Sequence, residues 1–350
     1  MGKLRMKRLQ AGGFLLAAIA TILIGCGNFA SNQPPRFTAR ELAVIVNQSD
    51  PLSVEIGRYY QQRRQIPAEN VIAIAFPPNR TTLSPTEFQQ LKQQIDAKTP
   101  THVQGYALTW AAPYRVGCMS ITSAFALGFD EQYCADTCKP TQANPYFRQV
   151  SSRPQEEFGV RPTMAIAAQD LQRAQELIDR GVASDGTFPQ GTAYLLKTSD
   201  AARNVRSALY PRIVQQLGQR LPIDVIQGDI LQFKWDVLFY FTGLPKVEQI
   251  DRNYFFPGAI ADHLTSAGGM LTDSFQMSSL RWLEAGATGS YGAVVEPCNF
   301  IQKFPHPGIV IDRYLAGDTL LEAYWQSVAW PGQGIFIGEP LARPFGDRQQ

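Results

Sequence analysis

The residue with the most chemistry to offer is Cys298, in the stretch "GATGSYGAVVEPCNF" (286–300). A small-residue turn leads into a short apolar run that stops at Glu296, Pro297 and Cys298. A thiol at a strand end fits three chemistries: a nucleophile, half of a disulfide, or an inert buried group. A nucleophile needs a base within reach, and the chain has three histidines, His102, His263 and His306. His263 falls in "PGAIADHLTSAGG", which reads as a helix. His306 lies in the Pro-bounded loop "KFPHPG", close behind Cys298. His102 occupies a turn before a strand and reads as solvated. A hydrolase built here would use Cys298 with His263 or His306, aided by Glu296 and Asn299.

The other cysteines favour a different fate for the thiol. Cys118, Cys134, Cys138 and Cys298 make an even set beside Cys26, as a disulfide framework requires. "YCADTC" closes a small loop, so Cys134–Cys138 is the easier pair and Cys118–Cys298 the remainder. No histidine lies near these cysteines, and neither H-x-H nor H-E-x-x-H occurs, so no metal is expected. G-x-G-x-x-G after the first strand, a P-loop and G-x-S-x-G are absent as well, and no cofactor is expected. A net charge of +2 with interspersed signs excludes a basic stripe, and with it nucleic acid as a partner.

These residues must be positioned by alternating elements. Apolar runs at 41–47, 70–76, 105–112, 192–200, 236–244, 290–296 and 334–340 read as strands. Amphipathic stretches at 53–64, 84–98, 167–183, 201–221 (interrupted at Pro211), 257–269, 278–287 and 312–329 read as helices. Ser84, Pro85 and Glu87 form a capping-box start. The alternation predicts a three-layer α/β domain over 41–350, a mostly parallel sheet with helices on both faces. The segment 113–162 breaks the pattern and reads as an irregular, disulfide-stapled loop.

In such sheets ligands bind beyond the C-terminal strand ends. The residues expected there include Arg115, Asp200, Thr242, Glu296 and Asn299, a candidate pocket for a protein or glycan ligand. Asp200 reads more readily as a helix cap than as a catalytic acid.

The N-terminus predicts the compartment. Lys3, Arg5, Lys7 and Arg8 precede the apolar run "FLLAAIATILIG", and Leu23-Ile24-Gly25-Cys26 resembles the lipobox of bacterial lipoproteins. The resemblance implies a signal peptide over 1–25 and acylation of Cys26, which would anchor the chain to a membrane outside the cytoplasm. Residues 26–40 then read as a flexible tether.

Two wider resemblances follow. "ELAVIVNQSDPLSVEIGRYYQQRRQIPAENVIAI", "GATGSYGAVVEPCNFIQKFPHPG" and "EAYWQSVAWPGQGIFIGEPLARPF" resemble an uncharacterised family of exported bacterial proteins found in species with exosortase-type sorting. More distantly, "GATGSYGAVV" and "IGEPLARPF" resemble the closing half of gingipain-like cysteine peptidases of the caspase-type fold. That resemblance implies a catalytic histidine after a central strand, as His-Gly, and a catalytic cysteine ending the next strand. Here the first position holds Thr242-Gly243. The next candidate strand, near "GGMLTD", ends in Asp273. Both dyad positions therefore read as vacant, and the expectation is a non-catalytic binding or accessory protein of envelope protein sorting or polysaccharide export.

Overall fold

The computed structural model describes residues 1–2, 36–78, 80–135 and 138–347. Cys26, the rest of the expected signal peptide and most of the tether lie outside the described residues. Residues 36–350 cluster as one unit. Arg36–Arg40, expected as the end of the tether, belong to it: Phe37 is fully buried, and Thr38 N–H donates to Glu41 at 2.9 Å.

Strand β1 (Leu42–Asn47) is buried along its whole length, as its near-continuous apolar run requires of a central parallel strand. Asp50 caps α1 (Pro51–Arg64) by accepting from Leu52 N–H. β2 (Val71–Ile74) pairs parallel with β1. After β3 (Thr82–Leu83), helix α2 (Pro85–Lys98) opens on the predicted capping box, with Ser84 and Glu87 exchanging hydrogen bonds. β4 (Gly105–Leu108) pairs on the other side of β1. The steps from β1 to β2 and from β2 to β4 run in opposite directions across the sheet, so right-handed crossovers place α1 and α2 on opposite faces.

The segment expected to be irregular carries structure. β5 (Arg115–Val116) and β6 (Met119–Ser120) join β3 in a small second sheet. α3 (Ile121–Leu127) is buried from Ile121 to Ala126, so it has no polar face to mark a helical period. α4 (Pro154–Phe158) and β7 (Thr163–Ala165) follow. Then come α5 (Leu171–Ser184), β8 (Thr192–Lys197) and α6 (Tyr210–Leu217), which takes Pro211 into its first turn and is not broken by it. β9 (Ile223–Gln227), β10 (Val237–Thr242) and β11 (Phe255–His263) complete the far half of the sheet. The chain closes with α7 (Leu280–Glu284), β12 (Gly289–Ala293), α8 (Pro307–Leu315), α9 (Leu320–Ser327) and β13 (Gly334–Gly338).

The ten-stranded sheet runs β2-β1-β4-β7-β13-β12-β11-β10-β8-β9 and is mostly parallel. β13 pairs antiparallel with β12, from Gly289↔Gly338 to Ala293↔Gly334. At one end of the strands a buried cluster joins the ends of α1, α5 and β13. Arg64 binds Asp185 and Glu339, and Tyr60 donates to Glu339 at 2.7 Å. Helices α1 and α5 therefore both finish at this end, and the strands that follow them, β2 and β8, start there. The crevice lies at the opposite end of the strands.

Three sequence expectations are corrected. Residues 257–269 contain no helix: β11 runs through Pro257 to His263. Pro257 and the small residues imitate a helix start, but Ala259, Ile260 and Ala261 are fully buried, which leaves no solvent-facing side. Gly258, at φ 88°, takes the left-handed conformation where the β10–β11 register shifts. "GGMLTD" is a turn, and the helix expected over 312–329 is two. Gly317, at φ 92°, ends α8, and Thr319 with Glu322 forms a new capping box.

The disulfides also differ. All four cysteines are paired, but as Cys118–Cys134 and Cys138–Cys298, each with Cα atoms 5.5 Å apart. Closing a longer loop adds only about 0.6 kcal/mol per doubling of length, so a short spacing confers little advantage. Packing decides. Asp130 N–H meets Met119 Sδ at 3.5 Å, and Gln333 Nε2 donates to the Tyr133 carbonyl, which draws Cys134 towards the turn at Cys118.

Candidate functional site

The C-terminal ends of β8, β11 and β12 frame a crevice of about 330 Å³. Its walls include Arg203, Thr265, Ser266, Glu296, Asn299 and the Cys138–Cys298 disulfide. The sheet dictates this assembly. β8 ends at Lys197 and passes through Asp200 to Arg203; β11 ends at His263 and continues through Thr265; β12 ends at Ala293 and turns out through Glu296.

Of the residues expected from sequence, Glu296, Cys298 and Asn299 line the crevice directly. Glu296 Oε1 accepts from Cys298 N–H at 2.7 Å, holding a tight turn in which Cys298 has φ 55°. Asp200 acts through a neighbour. It accepts from Arg203 N–H and pairs with the Arg203 guanidinium at 2.8 Å, aiming that side chain at Thr265 Oγ1, 3.2 Å away. Thr242 lies beneath the crevice, buried, its carbonyl accepting from Arg206 at 2.7 Å. Arg115 is not brought to this site. It sits in the small sheet and donates to Thr82 Oγ1 at 3.1 Å.

The three histidines do not serve the thiol. His263 is buried, with Nδ1 accepting from Trp282 Nε1 at 2.9 Å and Nε2 facing the Met277 carbonyl at 3.1 Å. Both ring nitrogens are occupied, and burial pushes its pKa down to about 3. His306 caps α8 by accepting from Ile309 N–H and lines a different cavity. His102 is exposed and bonds Asn70 at 3.1 Å. Cys298 itself has its sulfur bonded to Cys138, so it presents no thiolate.

The structure adds groups that the sequence reading missed. Arg203, Thr265 and Ser266 carry no motif; only their positions just after strand ends could have singled them out. Lys303 is 1% exposed, its Nζ has no hydrogen-bond partner, and it lies 5.4 Å from the Phe300 ring centroid. Desolvation, opposed by Glu296, pulls its pKa down to about 8. Beneath the crevice, Arg206 and Asp262 form an ion pair at 2.6 Å with each side chain 1% exposed. Among the described residues no group of three or more His, Cys, Asp or Glu is placed to hold a metal ion. What the crevice offers is one guanidinium, one carboxylate, an amide and two hydroxyls, an arrangement suited to recognising a polar ligand.

The fold is similar to that of a solved cysteine peptidase. The likeness is to the Arg-specific cysteine proteinase gingipain R, with a TM-score of 0.46 at 9% identity over 89% of this chain and 80% of that one. No family model matches the chain, and no curated protein matches it by sequence. The two disulfides mark a protein that matures outside the cytoplasm. No helix among the described residues is long and apolar enough to cross a membrane.

Proposed function

We propose that the chain is a lipid-anchored, extracytoplasmic binding or accessory protein of envelope protein sorting or polysaccharide export, without peptidase activity. The observation that carries this reading is the Cys138–Cys298 disulfide at the crevice. It leaves Cys298 without a free thiol, and His263, the histidine at the neighbouring strand end, has both ring nitrogens engaged elsewhere. The polar crevice suits a protein or glycan segment, with Arg203 and Glu296 the expected charged contacts. The rival reading, a cysteine hydrolase built on Cys298, requires that sulfur to be free and a histidine to reach it.

Peptide mapping of the mature protein without reductant separates the two. A Cys138–Cys298 crosslinked peptide, with no labelling of Cys298 by iodoacetamide at pH 7, is the expected outcome. Rapid, stoichiometric labelling of Cys298 in the native protein would overturn the proposal.

A further inference from the structure

A larger cavity lies away from the crevice, between α6, the start of α8, and the segments around Arg148 and Gln302. It encloses about 890 Å³, within the range of sites that bury a drug-sized molecule. Its floor is apolar: Ile213, Leu217 and Phe304 are buried, and Leu209 and Ile309 continue the same wall. Its rim is cationic. Arg148, Arg212 and Arg220 stand against a single carboxylate, Asp312, which Arg220 already pairs with. Arg148 and Arg212 have no carboxylate partner among the described residues.

His306 adds to this rim as a neutral donor. Its Nδ1 accepts from Ile309 N–H at 3.3 Å, which leaves the proton on Nε2. Burial and the nearby Arg148, Arg206 and Arg212 pull its pKa down to about 4, so at pH 7 the local field comes from guanidinium groups. Two guanidinium forks without a carboxylate, that of Arg148 lying 5.1 Å from the Phe147 ring centroid, stand above an apolar floor and match an oxyanion carried on a hydrocarbon body.

We infer that this cavity is a binding site for an amphiphilic oxyanion, a phosphate or carboxylate head with an apolar tail. The head sits between Arg148 and Arg212, within reach of His306 Nε2–H, and the tail lies along the half-buried wall of Leu209 and Ile309, which Ile213 and Phe304 back from beneath. The site is independent of the crevice, and it stands or falls whether or not the crevice binds a ligand.

Titration calorimetry on the soluble protein tests it, with four probes below their aggregation concentrations: dodecyl phosphate, dodecanoate, dodecanol and inorganic phosphate. At least one dodecyl anion is expected to bind saturably and at least tenfold more tightly than dodecanol or inorganic phosphate. Its affinity should fall as salt rises. The stronger of the two anions distinguishes a phospholipid-type head from a carboxylate. R212Q and R148Q replace exposed side chains, and each should weaken the anion about tenfold or more while leaving dodecanol unchanged. Failure of both dodecyl anions to bind, equal affinity for dodecanol, or anion binding indifferent to both substitutions would each refute the site. Because peptide mapping reads the disulfide and calorimetry reads this cavity, failure of one reading is distinguishable from failure of the other.

Discussion

His306 and His263 are both held neutral by burial, and this makes stability depend on pH. In the unfolded chain each imidazole takes up a proton below about pH 6.5. In the fold His306 does so only near 4 and His263 only near 3. Between these limits the unfolded state binds more protons, so stability is full above about 6.5 and is lost as pH falls. The slope is at most about 1.4 kcal/mol per pH unit for each histidine. H306N keeps an acceptor for Ile309 N–H, since Asn is a good N-cap, and removes one titrating group. Urea denaturation should show H306N gaining about 2 kcal/mol relative to wild type between pH 7 and pH 4.5. A difference that does not change with pH would contradict this account. At this scale the sequence was legible for Glu296, Cys298 and Asn299, which sit together in one turn. It was blind to Lys303 and to Arg203, whose roles come from neighbours distant along the chain.

At the scale of elements, the glycines of "GATGSYGAVV" show why local pattern and packing must be read together. A Cβ on Gly292 would meet Ser279 Oγ at 2.3 Å and Gly269 N at 2.4 Å, and one on Gly289 would press on Leu320. Without a side chain at Gly292, β12 can approach the start of α7 and the turn at Gly268–Gly269, and without one at Gly289 it can pack against the start of α9. G292A is therefore expected to lose about 1–3 kcal/mol, or somewhat more because the clash is with backbone. Thermal melting read by circular dichroism measures it, and an unchanged midpoint would mean that the strand has room to shift. β1, β10 and α2 were legible because a long apolar run or a capping box is a strong local signal. β11 and α3 were not. Small residues buried on every side carry neither the period of two nor that of 3.6, so only their neighbours settle which element they form.

For the whole molecule, one covalent tie and one buried ion cluster hold opposite ends of the strands. Arg64, Asp185 and Glu339 join α1, α5 and β13 at one end. At the crevice end the Cys138–Cys298 bridge, spanning 160 residues, pins the long segment after β4 to the loop after β12. Lipid anchoring would tether this body to a membrane surface. C26A is expected to move the protein from the membrane to the soluble fraction, and unchanged fractionation would remove the anchor from the proposal. The sequence by itself determined the alternating α/β architecture, the absence of common nucleotide and metal motifs, and the even set of cysteines. Those properties depend on residue type and local spacing. Only the tertiary structure decided which cysteines pair, that residues 257–263 form a strand, and which charged groups meet in the crevice. Each of these depends on segments brought together from far apart in the chain, where burial and loop packing outweigh local preference.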